Sequence, residues 1–74
     1  MTAKEMFEEL GYYFKINDDN SIITYCAEYD RVSSIKFFKA GLYSITIYDT
    51  KKRITNDLLQ AINKQIEELG WNNG

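Results

Sequence analysis

The chain has 74 residues, 27% of them charged and 45% hydrophobic, with a net charge of −2. That balance is ordinary for a soluble globular domain and excludes a wholly disordered chain, and the mild acidity argues against non-specific nucleic-acid binding. A single cysteine, Cys26, excludes an internal disulfide, and no apolar run approaches the length that spans a bilayer.

The length fits one domain, residues 1–74, close to the size where a single core is only just sufficient. An aromatic content of 15% offsets the small size, since each ring buries a large area. Lys4 and Glu5 charge the N-terminal stretch, which has no apolar h-region, so no signal peptide is expected. A lone thiol suits a reducing compartment, and the bacterial cytoplasm is the expected location.

The first predicted helix covers Ala3 to Leu10. Thr2 and Glu5 have capping-box spacing, and Ala3, Met6, Phe7 and Leu10 recur at helical intervals. Gly11 stops the helix, with Tyr12 placed to touch Phe7. Four β-patterned runs follow. Tyr12 to Asn17 alternates Tyr12, Phe14 and Ile16 against Tyr13 and Lys15. After the turn residues Asn17-Asp18-Asp19-Asn20, Ser21 to Tyr29 is rich in β-branched and aromatic residues. Its facing is open, because Ile22 and Ile23 point opposite ways. Asp30-Arg31 marks the next turn, and Ser33 to Lys39 and Leu42 to Asp49 are joined through Lys39-Ala40-Gly41.

With Gly41 as the left-handed residue of a three-residue loop, Phe38 faces Leu42, Phe37 faces Tyr43 and Ile35 faces Ile45. Ile35, Phe37, Tyr43, Ile45 and Ile47 then share the face expected beneath the helices. Lys36, Phe38, Leu42, Ser44, Thr46 and Tyr48 share the other.

The last element has both ends marked. Thr55 is the predicted N-cap, Ile54 and Leu59 stand at staple positions, and Leu58, Leu59, Ile62, Ile66 and Leu69 form the apolar stripe. Gly70 ends it, with Trp71 expected to fold back toward Ile66. Phe7-Glu-Glu-Leu-Gly-Tyr12 and Ile66-Glu-Glu-Leu-Gly-Trp71 thus read as one capping scheme used twice. The predicted fold is α+β: a two-layer sandwich of helix, four-stranded antiparallel meander and helix, with both helices on one face of the sheet.

Met1-Thr-Ala-Lys-Glu-Met-Phe-Glu-Glu-Leu-Gly-Tyr12 and Ala61-Ile-Asn-Lys-Gln-Ile-Glu-Glu-Leu-Gly-Trp71 also carry a resemblance. The chain resembles small uncharacterised proteins encoded in phages and prophages of Gram-positive bacteria. The resemblance covers the two ends and implies a phage-derived cytoplasmic protein, with no catalytic or ligand residue to transfer.

Signals for catalysis are absent from the sequence. There is no histidine, hence no imidazole base and no histidine metal ligand. Cys26 lies among apolar strand residues, which suits packing better than nucleophilic attack. The glycines are stops and turn residues, not a phosphate loop. Asn17, Asp19, Ser21 and Glu28 match four calcium-loop positions, but Ile22 replaces the required glycine, so a plain turn is expected. Neither enzyme activity nor a cofactor or metal is expected.

Two surfaces stand out. Glu8-Glu9 and Glu67-Glu68 occupy last helical turns, where the macrodipole disfavours negative charge. The topology brings Glu8 and Glu9 toward the start of the second helix and Lys51-Lys52-Arg53. It leaves Asp18, Asp19, Glu67 and Glu68 as an acidic pole, with Lys39 as the neighbouring cation. The second surface is the outer sheet face, with Tyr13, Lys36, Phe38, Leu42 and Tyr48 as the interaction residues. The expected function is protein binding by a small phage accessory protein, with a protein partner or a homodimer, no membrane, and nucleic acid disfavoured. The alternatives are an acidic inhibitor mimicking phosphate toward a host nucleic-acid-binding protein, or a weak single-strand binder using the sheet aromatics.

Overall fold

The computed structural model describes residues 1–28, 33–46 and 54–70. In chain order the elements are α1 (Ala3–Glu9), β1 (Tyr12–Ile16), β2 (Ile22–Ala27), β3 (Ser34–Phe38), β4 (Leu42–Thr46) and α2 (Asn56–Leu69). The strands form one antiparallel sheet in the order β1-β2-β3-β4, so the predicted meander is the observed topology.

Local chemistry sets the ends of the elements. At α1 the Thr2 hydroxyl accepts from the Glu5 N–H at 3.2 Å, and Glu5 Oε1 accepts from the Thr2 N–H at 2.9 Å. This is the expected capping box, and the Thr2 N–H together with the Thr2 hydroxyl, which donates to Glu5 Oε1 at 3.1 Å, holds the Glu5 carboxyl below its usual range. At α2 the Thr55 hydroxyl accepts from the Leu58 N–H at 3.1 Å. The two C-terminal ends are not the same scheme. Gly70 adopts a left-handed φ of 62° and donates to the Ile66 carbonyl, four residues back. Gly11, at φ 87°, donates instead to the Glu8 carbonyl, three residues back, so α1 finishes in a tighter turn. Phe7 and Tyr12 do meet, edge to face at 5.9 Å. Trp71 lies outside the described residues, as do Ile47, Tyr48 and the run 51–53.

The β3–β4 register is the predicted one, with Ile35 opposite Ile45, Phe37 opposite Tyr43 and Phe38 opposite Leu42. Gly41 has a φ of 88° and donates to the Phe38 carbonyl, as the three-residue loop requires. β2 resolves its facing by burying Ile23, Tyr25 and Ala27, which turns Ile22, Thr24 and Cys26 outward.

The buried cluster joins Phe7 of α1, Tyr12 of β1, Ile23, Tyr25 and Ala27 of β2, Ile35 and Phe37 of β3, and Leu58, Ala61 and Ile62 of α2. Tyr25 is its centre and only 1% exposed. Its ring stacks on Phe7 at 3.8 Å, and its hydroxyl donates to Oε1 of buried Gln65 on α2. Both helices therefore meet the sheet through one β2 side chain. The α2 stripe also needs correction, since Leu59 is exposed, as is Ile54, while Ala61 and Gln65 are buried.

Burial pushes the Tyr25 hydroxyl up to about 12, with the Glu68 and Glu8 carboxylates adding to the shift. The phenol of an unfolded chain titrates near ~10. Between these values the unfolded chain gives up the proton first. The contribution of Tyr25 is therefore complete below pH ~10 and is lost as the pH rises through 12. Tyr25→Phe should cost about 1–3 kcal/mol at neutral pH, because the Gln65 oxygen is left buried without its donor. Urea unfolding followed from pH 7 to 11.5 should show the wild type losing its advantage over the variant as the pH climbs.

Candidate binding surface

The register arranges the outer face of the sheet into three cross-strand rows. Tyr13, Cys26, Ser34 and Thr46 form one, and Lys15, Thr24, Lys36 and Ser44 the next. The third is apolar: Ile22, Phe38 and Leu42. Of the residues predicted to work together, Phe38 and Leu42 are direct neighbours and Lys36 stands in the adjoining row. Tyr13 does not join them, because its place opposite Cys26 puts it across the lysine row, where the Lys15 ammonium lies 5.5 Å from its ring. Tyr48 lies outside the described residues. Sequence reasoning gave Ile22 only a provisional place, and the β2–β3 register is what sets it against Phe38.

β4 differs from the other strands in that every residue from Leu42 to Thr46 is exposed. Leu42 is 65% exposed on the outer face. Tyr43 and Ile45, expected beneath the helices, are 42% and 43% exposed, although the Tyr43 ring does reach the edge of Phe37 at 5.8 Å. Phe7 of α1 and Gln65 of α2 both meet Tyr25 of β2, and β4 lies two strands further on, roughly 10 Å away. The core-side alternation therefore continues past the cover that the helices supply.

The acidic pole is built differently from the expectation. Glu68 Oε2 accepts from the Ala3 N–H at 3.0 Å, at the N-terminus of α1. A carboxylate from the unfavourable end of one helix thus sits at the favourable end of another. Glu67 is within 3.9 Å of the Lys64 ammonium, so Lys64 and the first turn of α1 supply what Lys39 was expected to supply. Asp19 accepts from the Ser21 hydroxyl at 2.6 Å, the Ser21 N–H at 3.1 Å and the Asn17 amide at 2.7 Å. Those bonds lower its pKa and make the residue a turn-former beside Asn20, which takes a left-handed φ of 60°. Asp18 is exposed.

Glu9 reaches the start of α2, as the topology predicted. There it lines an open crevice of about 350 Å³ with Met1, Met6, Leu10, Asp57 and Gln60. Among the described residues no group of three or more histidine, cysteine or acidic side chains could hold a metal ion, and no helix is long and apolar enough to cross a membrane. Cys26 is half-buried on the outer face.

No family model matches the chain, and no curated protein or solved structure shows significant similarity to it.

The Glu68 bond gives a direct test of its structural role. Glu68→Ala should lower stability by about 0.3–1 kcal/mol, the usual worth of a charge at a helix terminus. Glu68→Gln should cost less, since its amide oxygen can still accept from Ala3. Urea midpoints of the two variants, compared at low and high salt, check both expectations.

Proposed function

We propose that this chain is a binding module that captures a protein partner, a second copy or a different protein, through the β3–β4 hairpin and performs no catalysis. The observation that carries the reading is β4, five consecutive exposed residues with Leu42, Tyr43 and Ile45 among them. Apolar side chains presented on both faces of one strand are the kind of surface that marks an interaction site. Half-buried Ile22 and Phe38 extend it around the hairpin. An origin as a phage or prophage accessory protein rests on the resemblance of the two chain ends.

The phosphate-mimic alternative draws less support, because the carboxylates of Glu68 and Asp19 are engaged within the fold. The single-strand nucleic-acid alternative has one observation in its favour. The described outward strand positions carry Lys15 and Lys36 and no carboxylate, while the acidic side chains of the described residues stand on helices, turns and loops. If that face binds single strands, Lys15→Gln with Lys36→Gln should remove low-salt binding of labelled oligonucleotides.

Protein capture is tested with Phe38→Ser/Leu42→Ser. Leu42→Ser alone should stay within about 0.5 kcal/mol of the wild type, as surface changes do. Adding Phe38→Ser should cost about 1–2 kcal/mol more, less than a fully buried phenylalanine would. A protein retained from bacterial lysate by the immobilised wild type should be lost with the folded double variant. Equal retention by both would overturn the reading.

A further inference from the structure

We propose that the chain forms a two-fold symmetric dimer in which β4 pairs antiparallel with β4 of a second copy, Ser44 lying on the axis. This inference rests on the reading of β4 as the binding surface and adds what occupies it.

The direction of the backbone groups comes from one hydrogen bond. The Lys39 N–H donates to the Ser21 carbonyl at 2.9 Å, so odd-numbered residues of β3 turn their N–H and C=O toward β2. By alternation Ser34, Lys36 and Phe38 turn theirs toward β4. Their partners Thr46, Ser44 and Leu42 are therefore occupied by β3. What remains at the free edge is the N–H and C=O of Tyr43 and of Ile45.

A second copy supplies the same groups in the opposite order. With Ser44 opposite Ser44, Tyr43 stands opposite Ile45 of the second copy, and Leu42 opposite its Thr46. Each Tyr43–Ile45 pair can exchange both hydrogen bonds, and all five residues of the described strand find a partner. Shifting the register to place Tyr43 or Ile45 on the axis keeps the hydrogen-bond phase but leaves part of the described strand unpaired. The side chains agree with the central register. Tyr43 and Ile45, 42% and 43% exposed, come to lie against Ile45 and Tyr43 of the other copy. No residue of β4 is charged, so no like charges meet.

Sheet edges that must stay free are blunted by lysine, proline or a bulge. β4 has a regular register to β3, no lysine and no proline. The other edge strand, β1, carries Lys15 and has the Lys4 ammonium 5.4 Å from the Phe14 ring. Among the described residues, only the β4 edge is left without such a guard. A two-fold contact closes on itself, so a dimer and not a filament is the product. Two five-residue strands bury less than the roughly 800 Å² per partner of a standard interface, so the dimer should come apart on dilution.

The test combines mass and crosslinking on the full chain. Sedimentation equilibrium should show the mass doubling as concentration rises, and Ile45→Lys should hold the protein at monomer mass with its circular dichroism spectrum unchanged. Against the possibility that this variant misfolds, single cysteines are placed in a Cys26→Ser background. Ser44→Cys should oxidise to a covalent dimer, because a non-hydrogen-bonded pair holds its Cα atoms about 4.5 Å apart, within disulfide range. Thr46→Cys, two residues from the axis, should crosslink at least tenfold more slowly. Equal crosslinking at both positions, or none at Ser44, would overturn the register. A monomer at every concentration would overturn the dimer, and loss of a different protein partner in the Leu42→Ser variant would then still support the binding role of the hairpin.

Discussion

The contact between Tyr25, Phe7 and Gln65 is the constraint on which the rest of the structure depends. Two rings stacked at 3.8 Å tie α1 to the central strand, and the phenol hydroxyl ties α2 to the same side chain. A buried phenol needs a partner, and a buried amide oxygen needs one as much. The pair satisfies both where neither could reach water. Once Tyr25 points inward, the register carries the choice to Phe14 on β1 and Ile35 on β3. Lys36 and Phe38 then follow on the outer face by alternation alone.

Charge placement follows from the same packing. The helices lie against each other so that the last turn of α2 reaches the first turn of α1, and Glu68 accepts from the Ala3 N–H. An acidic C-terminal turn that looks unfavourable within one helix becomes an N-terminal acceptor for the other. The carboxylate also raises the pKa of the Tyr25 hydroxyl, coupling the charge at the rim to the group at the centre. Glu68 and Asp19 are thus engaged within the fold.

Both helices contact Tyr25 of β2, and the edge strands β1 and β4 are less fully covered. The seven residues of α1 rise only about 10 Å, enough to cover Tyr12 but to leave Phe14 half-buried and Ile16 exposed. On the opposite side β4 keeps a core-like sequence that is only partly covered among the described residues, with Tyr43 against the edge of Phe37. The outer face adds Leu42, so the strand is apolar on both sides and free along one edge. Leu42, Tyr43 and Ile45 are neighbours on this one strand, whereas the other exposed large hydrophobics among the described residues, Met1, Ile16, Ile54 and Leu59, lie on other parts of the fold.

Much of this was legible in the residues themselves. Thr2 with Glu5, Thr55 before its apolar stripe, and the glycines at 11, 41 and 70 act within a few residues of themselves, so local chemistry placed the helix ends and the hairpin register. Alternation in Tyr12–Ile16 and Ser34–Phe38 gave each strand two faces, and the short connections gave the meander. Tertiary structure decided the rest. Ile22 and Ile23 are equivalent as side chains, and only the stacking of Tyr25 on Phe7 selects which is buried. Gln65 reads as a polar residue within an apolar stripe until a phenol 40 residues away meets it. Glu68 reads as a charge at the wrong helix end until the helices are set side by side. The exposure of Tyr43 and Ile45 depends on how far two helices extend over a sheet. Alternation determines which side of a strand a residue takes, but only packing determines whether anything lies above it.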